Sequence, residues 1–407
     1  MSVTRQLNKI HITSLDHPRI VSRFLFEVQE IIRRGYSEVE IDFSQIESVF
    51  PNAAVPVSGL IDYYQKQGIS ISRLDQAGII TSVHLLDPLV PRSRGEINSL
   101  NILNKVWRFT ASEQVFWLVS AFMEELPKLD KFQEGVLTGL EWCINEVMDN
   151  VIQHSGESGG FVMGQIHKST KHVAFTIFDY GIGIYNSLKG SNSEIRHPID
   201  AITLCIQEGV TRDRKTHQGN GMYGLHQVVK FNEGRLTITS NNGSYFLRRD
   251  SALTFRKIPS ISRERGCTTV DFQLDYDNIV PISEALKFNG QSYEMINLRL
   301  ENMENNSGEI VYDLKNRANG YGTRQSGERV RNEIINIINE VNSLLIIDFS
   351  DIAVISSSFA DEVVGKLVVE FGFFGFNNII RLKNMNPFIQ AIVQKAVSQR
   401  LAETLNS

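Results

Sequence analysis

Apolar residues recur at helical spacing from Ile20 to Arg33, where Ile20, Phe24, Val28, Ile31 and Ile32 line one face and Gly35 follows as a stop. Glu38–Phe43 (EVEIDF) alternates polar and apolar, the period of a strand with one buried face. Val57–Gln65 predicts a second helix, ending before Gly68. The same plan returns from about residue 308. Gly327–Val341 places Val330, Ile334, Ile337, Ile338 and Val341 at helical spacing. Leu344–Phe349 is a mostly apolar strand, suited to a sheet covered on both faces, and Phe359–Phe371 is a further helix. The two segments share a phrase. Ile41-Asp42-Phe43-Ser44-Gln45-Ile46 differs from Ile347-Asp348-Phe349-Ser350-Asp351-Ile352 at one position. Each phrase follows a helix and a polar turn and precedes another helix, so the segments read as related modules. Residues 74–111 and 278–307 carry no clear period, and Asn302–Gly308 is polar enough for a linker.

The stretch between the modules, about 112–277, carries the chemistry. Phe132–Ser155 predicts a long helix with an apolar stripe of Val136, Leu140, Ile144, Val147 and Val151. Beside it Glu146, Asn150 and His154 fall on one face. A carboxylate one turn before a carboxamide suits a magnesium site, because the amide oxygen can ligate the ion and the carboxylate can orient a water or take its proton. A solvated helix face is the plain alternative. A strand, Val173–Phe178, then runs into Asp179-Tyr180-Gly181-Ile182-Gly183. A carboxylate at a strand end can accept a hydrogen bond from an exocyclic amine such as adenine's, and glycines let the backbone approach a flat ring. The plain alternative is a tight turn. Gly219-Asn220-Gly221-Met222-Tyr223-Gly224-Leu225 opens a helix pattern through Val228 and Val229. Glycines before a helix start expose N–H groups where the helix dipole is positive, which makes a phosphate cradle. The spacing also fits a dinucleotide fingerprint, but the preceding Thr211–Gln218 (TRDRKTHQ) is charged and no strand, which excludes that reading.

In this order these phrases resemble the GHKL family of ATP-binding domains, shared by gyrase, MutL, the 90-kDa heat-shock chaperone and histidine kinases. Glu146–Asn150 looks like the N box, Asp179-x-Gly181-x-Gly183 like the first glycine box, and Gly219-x-Gly221-x-x-Gly224-Leu225 like the second. Gly266-Cys267-Thr268-Thr269-Val270 resembles the closing strand. The resemblance covers about 130–275. It implies a two-layer α/β sandwich with a mixed sheet and helices on one face, and ATP with Mg²⁺ as ligand. It implies Asn150 on the metal, Asp179 on adenine with Thr268 nearby, and Glu146 activating water. Ile184–Gln218 would be the lid, with Lys215 and His217 as candidate phosphate contacts, against the plainer reading of a solvated loop, and Ile199–Val210 apolar enough for a short docked helix. No helical hairpin with a phospho-accepting histidine precedes the N box, so a histidine kinase of the usual kind is not expected.

The C-terminal stretch resembles a STAS-like domain, the small α/β module of anti-sigma-factor antagonists. Gly320–Gly327, Ile347–Ile352 and Ser356–Glu362 carry that resemblance. Ser357 lies nearest the place of the phosphorylated serine, but Ser356 stands where those proteins carry aspartate, and a serine there also serves as a helix N-cap. The N-terminal module has Pro51-Asn52 at the matching turn and no serine. Arg324, Arg329 and Arg331 could hold an anionic partner, against the plainer reading of a solvated helix face.

Composition narrows the partners. The 407 residues exceed one ordinary domain. Apolar and charged shares of 42% and 21% fit a globular protein, no apolar run approaches a membrane span, and the N-terminus lacks a signal-peptide core. A net charge of −5 argues against a broad nucleic-acid surface. Cys143, Cys205 and Cys267 have no metal-ligand spacing and read as reduced thiols of a cytoplasmic protein. The expectation is α/β throughout: a diverged STAS-like module and connector over 1–110, a GHKL domain over 111–277, a connector over 278–307 and a STAS-like domain over 308–407. The expected function is a slow Mg-ATPase switch acting on the flanking modules or a protein partner, with a homodimer allowed. The alternatives are a protein serine kinase acting on a STAS partner, and a nucleotide-binding scaffold without turnover.

Overall fold

The computed structural model describes all residues except 1, 76–77, 99, 155–158, 191–194, 211–219, 262–265, 289, 293–302, 306–308, 319, 342 and 406–407. The chain is α/β and divides into two compact units. The first holds Met1–Met123 and Gly139–Tyr293, the second Glu124–Thr138 and Glu294–Ser407.

The first unit opens with β1 (Val3–Gln6), β2 (Lys9–Ile12), α1 (Arg19–Arg33), β3 (Glu38–Asp42), α2 (Pro51–Lys66) and β4 (Ser70–Leu74). The strands form a sheet in that order, antiparallel between β1 and β2 and parallel from β2 to β4. The alternation of β3 buries Val39 and Ile41 completely. Helix α2 starts well before the expected Val57, because Phe50 is extended and Pro51 supplies a first-turn residue that needs no N–H partner. Its residues are buried almost without interruption from Ala53 to Ile61. A helix buried all round shows no amphipathic stripe, which is why its first turns escape a periodicity reading.

Two short helices, α3 (Ile79–Val83) and α4 (Arg94–Asn98), lead to β5 (Trp107–Phe109). There follow α5 (Ser112–Leu129), α6 (Val136–His154), β6 (Gly160–His167), β7 (His172–Asp179), α7 (Gly183–Leu188), α8 (Pro198–Cys205) and α9 (Gly221–Phe231). Next come β8 (Arg235–Ser240), β9 (Gly243–Arg248), β10 (Ser251–Arg256), β11 (Thr268–Asp275), α10 (Ile282–Ala285) and a small ribbon of β12 (Lys287–Phe288) and β13 (Gln291–Ser292). Seven strands form one sheet in the order β10-β9-β8-β11-β7-β6-β5. Every ladder is antiparallel, where a mixed sheet was expected. Hairpins join β6 to β7 and β8 to β9 to β10, and a hairpin can only pair antiparallel.

Helices pack on both faces of this sheet. On one face Phe175 meets Phe122 of α5 edge-on at 4.9 Å, Val151 of α6 lies against Gly160, and His226 of α9 is 3.0 Å from the Tyr245 hydroxyl. On the other face Phe161, Met163, Phe178 and Tyr180 join the core of the N-terminal module. Gly59 of α2 makes this crossing close: a β-carbon there would collide with the Phe178 ring. Gly59→Ala should therefore destabilise the first unit by about 1–3 kcal/mol, the usual cost of overpacking, read as a lower urea midpoint.

The second unit carries parallel strands β14 (Ile310–Asp313), β15 (Leu345–Asp348) and β16 (Ile380–Lys383), in that order. Helix Arg324–Glu340 joins the first two strands. A second helix follows β15, formed by Ser357–Ala360, a π turn at Asp361–Gly365, and Lys366–Phe371. Phe373–Ile379 leads into β16, and Pro387–Leu405 closes the chain. Strand-helix-strand-helix-strand is also the plan of β2-α1-β3-α2-β4. The shared phrase builds the same turn twice. The Ser44 N–H donates to Asp42 Oδ1 and the Ser350 N–H to Asp348 Oδ1, each at 2.9 Å. The Phe43 N–H donates to the Leu74 carbonyl at 2.8 Å, and the Phe349 N–H to the Lys383 carbonyl at 3.1 Å. Residues 124–138 are gripped by Asn336, which donates to the Pro127 and Asp130 carbonyls and accepts from the Phe132 N–H at 2.6 Å. Among the described residues no helix is long and apolar enough to cross a membrane.

Candidate functional site

Two groups of side chains gather on the face of the large sheet that α5, α6 and α9 cover. The first joins α6 to α9. Glu146 and Asn150 lie one turn apart on α6, both partly exposed. Gly221 is the first residue of α9. A β-carbon there would collide with the Glu146 carboxylate and stand 3.5 Å from Asn150 Nδ2. Gly221 thus lets a helix start come directly against a carboxylate–carboxamide pair. Burial raises the pKa of Glu146, and the negative charge of Asp149 adds to the effect. Asn220, buried, accepts from the Gly209 N–H through its side chain at 3.3 Å and from the Gly224 N–H through its carbonyl at 2.8 Å.

Gly224 has a different task from Gly221. A β-carbon there would overlap the indole of Trp142, so this glycine lets α9 pack on α6. Leu225 is fully buried beside it. Both serve the helix packing that holds Gly221 in place.

The second group joins the ends of β7 and β11. Asp179 closes β7 and pairs with Thr268 in the antiparallel register. It shares a sheet face with Ile177 and Phe175. Asp179 is 8% exposed, and its Oδ1 accepts from the Gly181 N–H at 2.8 Å. Burial pushes its carboxyl up to about 7, although the Gly181 N–H and the Thr268 hydroxyl favour the anion. Ser240 stands beside the pair, with its hydroxyl 3.2 Å from that of Thr268 while accepting from the Ile184 N–H at 2.9 Å. Gly183 has φ +76°, and a side chain there would also strike the Asn241 carboxamide. Gly266 is similarly close to Asn241 and to the Ile182 carbonyl.

Ser240 and Asn241 escape the sequence reading. They belong to the turn between β8 and β9, where Asn-Asn-Gly signals a hairpin and nothing more. Lys215, His217 and Gly219 lie outside the described residues, as does the side chain of His154. In the stretch Ile184–Gln218, α7 and α8 pack together, and α8 ends at Cys205, short of the expected Val210. Ile199, Ala201, Ile202 and Cys205 are buried, and Gly243 of β9 abuts the Ile199 backbone.

In the second unit Ser357 is exposed, while the Ser356 hydroxyl caps the helix by accepting from the Phe359 N–H at 3.1 Å. The three arginines are engaged rather than simply solvated. Arg324 donates to Glu362 at 2.7 Å, Arg331 is buried against the same carboxylate, and Arg329 pairs with Glu125. Three cations around Glu362, counting Lys366 at 2.6 Å, compensate a carboxylate that is 2% exposed.

A family described as a STAS-like domain of unknown function (DUF4325) matches residues 326–390. The match begins in helix Arg324–Glu340 and ends in helix Pro387–Leu405, taking in β15 and β16. No curated protein matches the chain.

Proposed function

We propose that the chain is an ATP-binding regulatory protein, with a GHKL-type Mg-ATP site in its first unit and slow hydrolysis serving as a switch on its STAS-like modules or a protein partner. One observation carries the reading. Phrases far apart in sequence meet in pairs: Glu146 against Gly221, and Asp179 against Thr268 beside Gly181. These pairs are compatible with a nucleotide site of that family. A buried carboxylate at a strand end, with acceptor capacity beyond the Gly181 N–H, can accept from a donor such as the adenine amine. Asp179 would take that part, with Gly181, Gly183 and Thr268 shaping the ring's edge. Gly221 at the start of α9 would expose its N–H to the phosphates, and Gly219 belongs to the same proposed cradle. Lys215 is the proposed lid cation.

The donor chemistry suits magnesium. Asn150 offers a hard amide oxygen, and the remaining ligands would be phosphate and water oxygens, which is how this ion is usually held. Among the described residues no three His, Cys, Asp or Glu side chains gather as a metal cage. Glu146 would hold or take the proton of a water beside the phosphates. A cytoplasmic setting is part of the same proposal.

A second reading, phosphotransfer to a serine of a STAS-like partner, is favoured by one feature: Ser357 is exposed at a strand-to-helix turn of such a domain. Incubation with γ-labelled ATP and Mg²⁺ separates the readings. Free labelled phosphate supports the switch. Label on the protein, lost in Ser357→Ala, supports phosphotransfer. Binding without either leaves a nucleotide scaffold, and no binding removes the ATP reading.

A further inference from the structure

Side chains alternate across a strand, and at the end of β7 that alternation has a consequence. Asp179 points to the face of α5, α6 and α9. Its neighbours Phe178 and Tyr180 point to the other face, where α2 of the N-terminal module lies. Phe178 is pinned there by Gly59. Tyr180, 4% exposed, is held more specifically. Its hydroxyl donates to Asp62 Oδ2 at 2.5 Å and accepts from Lys66 Nζ at 2.7 Å. Asp62 and Lys66 lie one turn apart on α2 and bridge each other at 2.9 Å. Arg108 Nη1 stands 3.6 Å from the other Asp62 oxygen. The Tyr180 ring packs among Tyr63, Phe161 and Phe178.

Apolar contacts alone would keep α2 on the sheet, but they are not directional. A charged carboxylate and an ammonium on one phenol oxygen are directional, and they fix the backbone one residue beyond Asp179. We infer that Tyr180, Asp62 and Lys66 are positioning residues for Asp179, so that the N-terminal module sets nucleotide affinity through α2. The inference rests on the ATP reading above. Coupling of this kind is reciprocal, so nucleotide must tighten α2 as much as α2 tightens the site.

The test uses the full chain, a non-hydrolysable ATP analogue with Mg²⁺, calorimetry and hydrogen exchange. In the wild type, exchange across 51–66 should slow when the analogue binds. Tyr180→Phe keeps the ring packing. It should bind the analogue about 3- to 10-fold more weakly, the range one net hydrogen bond supports. It should also lose the slowing in α2. Lys66→Gln alters a half-exposed side chain, so it keeps the test open if the tyrosine variant fails to fold, and it should shift both readouts the same way. A general loss of stability would not by itself uncouple α2 from the ligand. Unchanged affinity and unchanged α2 slowing in a variant that folds, with a wild type that binds, overturn the inference and leave the ATP reading standing. A wild type that binds no adenine nucleotide overturns both.

Discussion

Asp179→Asn should weaken ATP binding by about 10- to 100-fold, the cost of losing a hydrogen bond to a charged group. It should do so without lowering the melting temperature at pH 8. The second half of the expectation comes from burial. The carboxyl is pushed up to about 7 from an ordinary 3.8, so at pH 8 the fold carries a buried anion held by one N–H and one hydroxyl. An amide of the same shape carries no charge to desolvate. The sign of the pH dependence follows. Between about pH 4 and 7 the folded chain holds a proton that the unfolded chain has released, so Asp179's contribution to stability falls as pH rises through that window. Adenine's amine is a donor, and the anion accepts from it more strongly than the protonated carboxyl does. Below pH 7 making the stronger contact means expelling the proton, and affinity should fall as pH falls, by at most about tenfold per unit. Titration calorimetry of both proteins from pH 5.5 to 8 measures this. The part of the slope that vanishes in Asp179→Asn belongs to Asp179. Asp271, pushed up to about 6 by burial, lies on the opposite sheet face with the Thr176 hydroxyl at 2.8 Å, and its titration remains in both proteins. Equal affinity of the two proteins would remove Asp179 from adenine recognition.

Local patterns carried the repeated turn and the elements on which the candidate residues lie. The repeated Ile-Asp-Phe-Ser phrase could be read because both copies build the same Asx turn at the end of a buried strand, and that turn is encoded within three residues. That Glu146 and Asn150 lie one turn apart on a helix could be read because helical spacing is a local rule. Long-range packing was not encoded that way. Nothing around Gly59 announces that α2 crosses Phe178, or that the N-terminal module shares a core with the large sheet. Residues 74–111 hide β5, an edge strand of three residues, too short to show a period. Gly224 reads as part of a phosphate loop by spacing, yet its neighbour is Trp142. Arg331 reads as a surface charge because its partner Glu362 is far off in sequence. Each miss concerns a contact between distant segments, where spacing along the chain carries no information.

Glu146→Ala should still bind Mg-ATP but release phosphate about 10²–10⁴ times more slowly, the usual cost of removing a general base. Burial, with the charge of Asp149 adding to it, raises the carboxylate's pKa, and a raised pKa makes its anion a better proton acceptor. Asn150→Ala should fail at an earlier step, losing the Mg²⁺-dependent part of binding, because its amide oxygen is the proposed ligand. Gly221→Ala gives a check that leaves both residues unsubstituted. The added methyl would overlap the Glu146 carboxylate, which must swing aside. Turnover should then fall as in Glu146→Ala, while a glycine substituted at a helix start should cost little stability, because alanine is the better helix former. Release of γ-labelled phosphate under single-turnover conditions, beside calorimetric binding, separates the three variants. Hydrolysis at the wild-type rate in Glu146→Ala would show that another group takes the proton. Normal turnover in Gly221→Ala would mean that the carboxylate works equally well away from the start of α9.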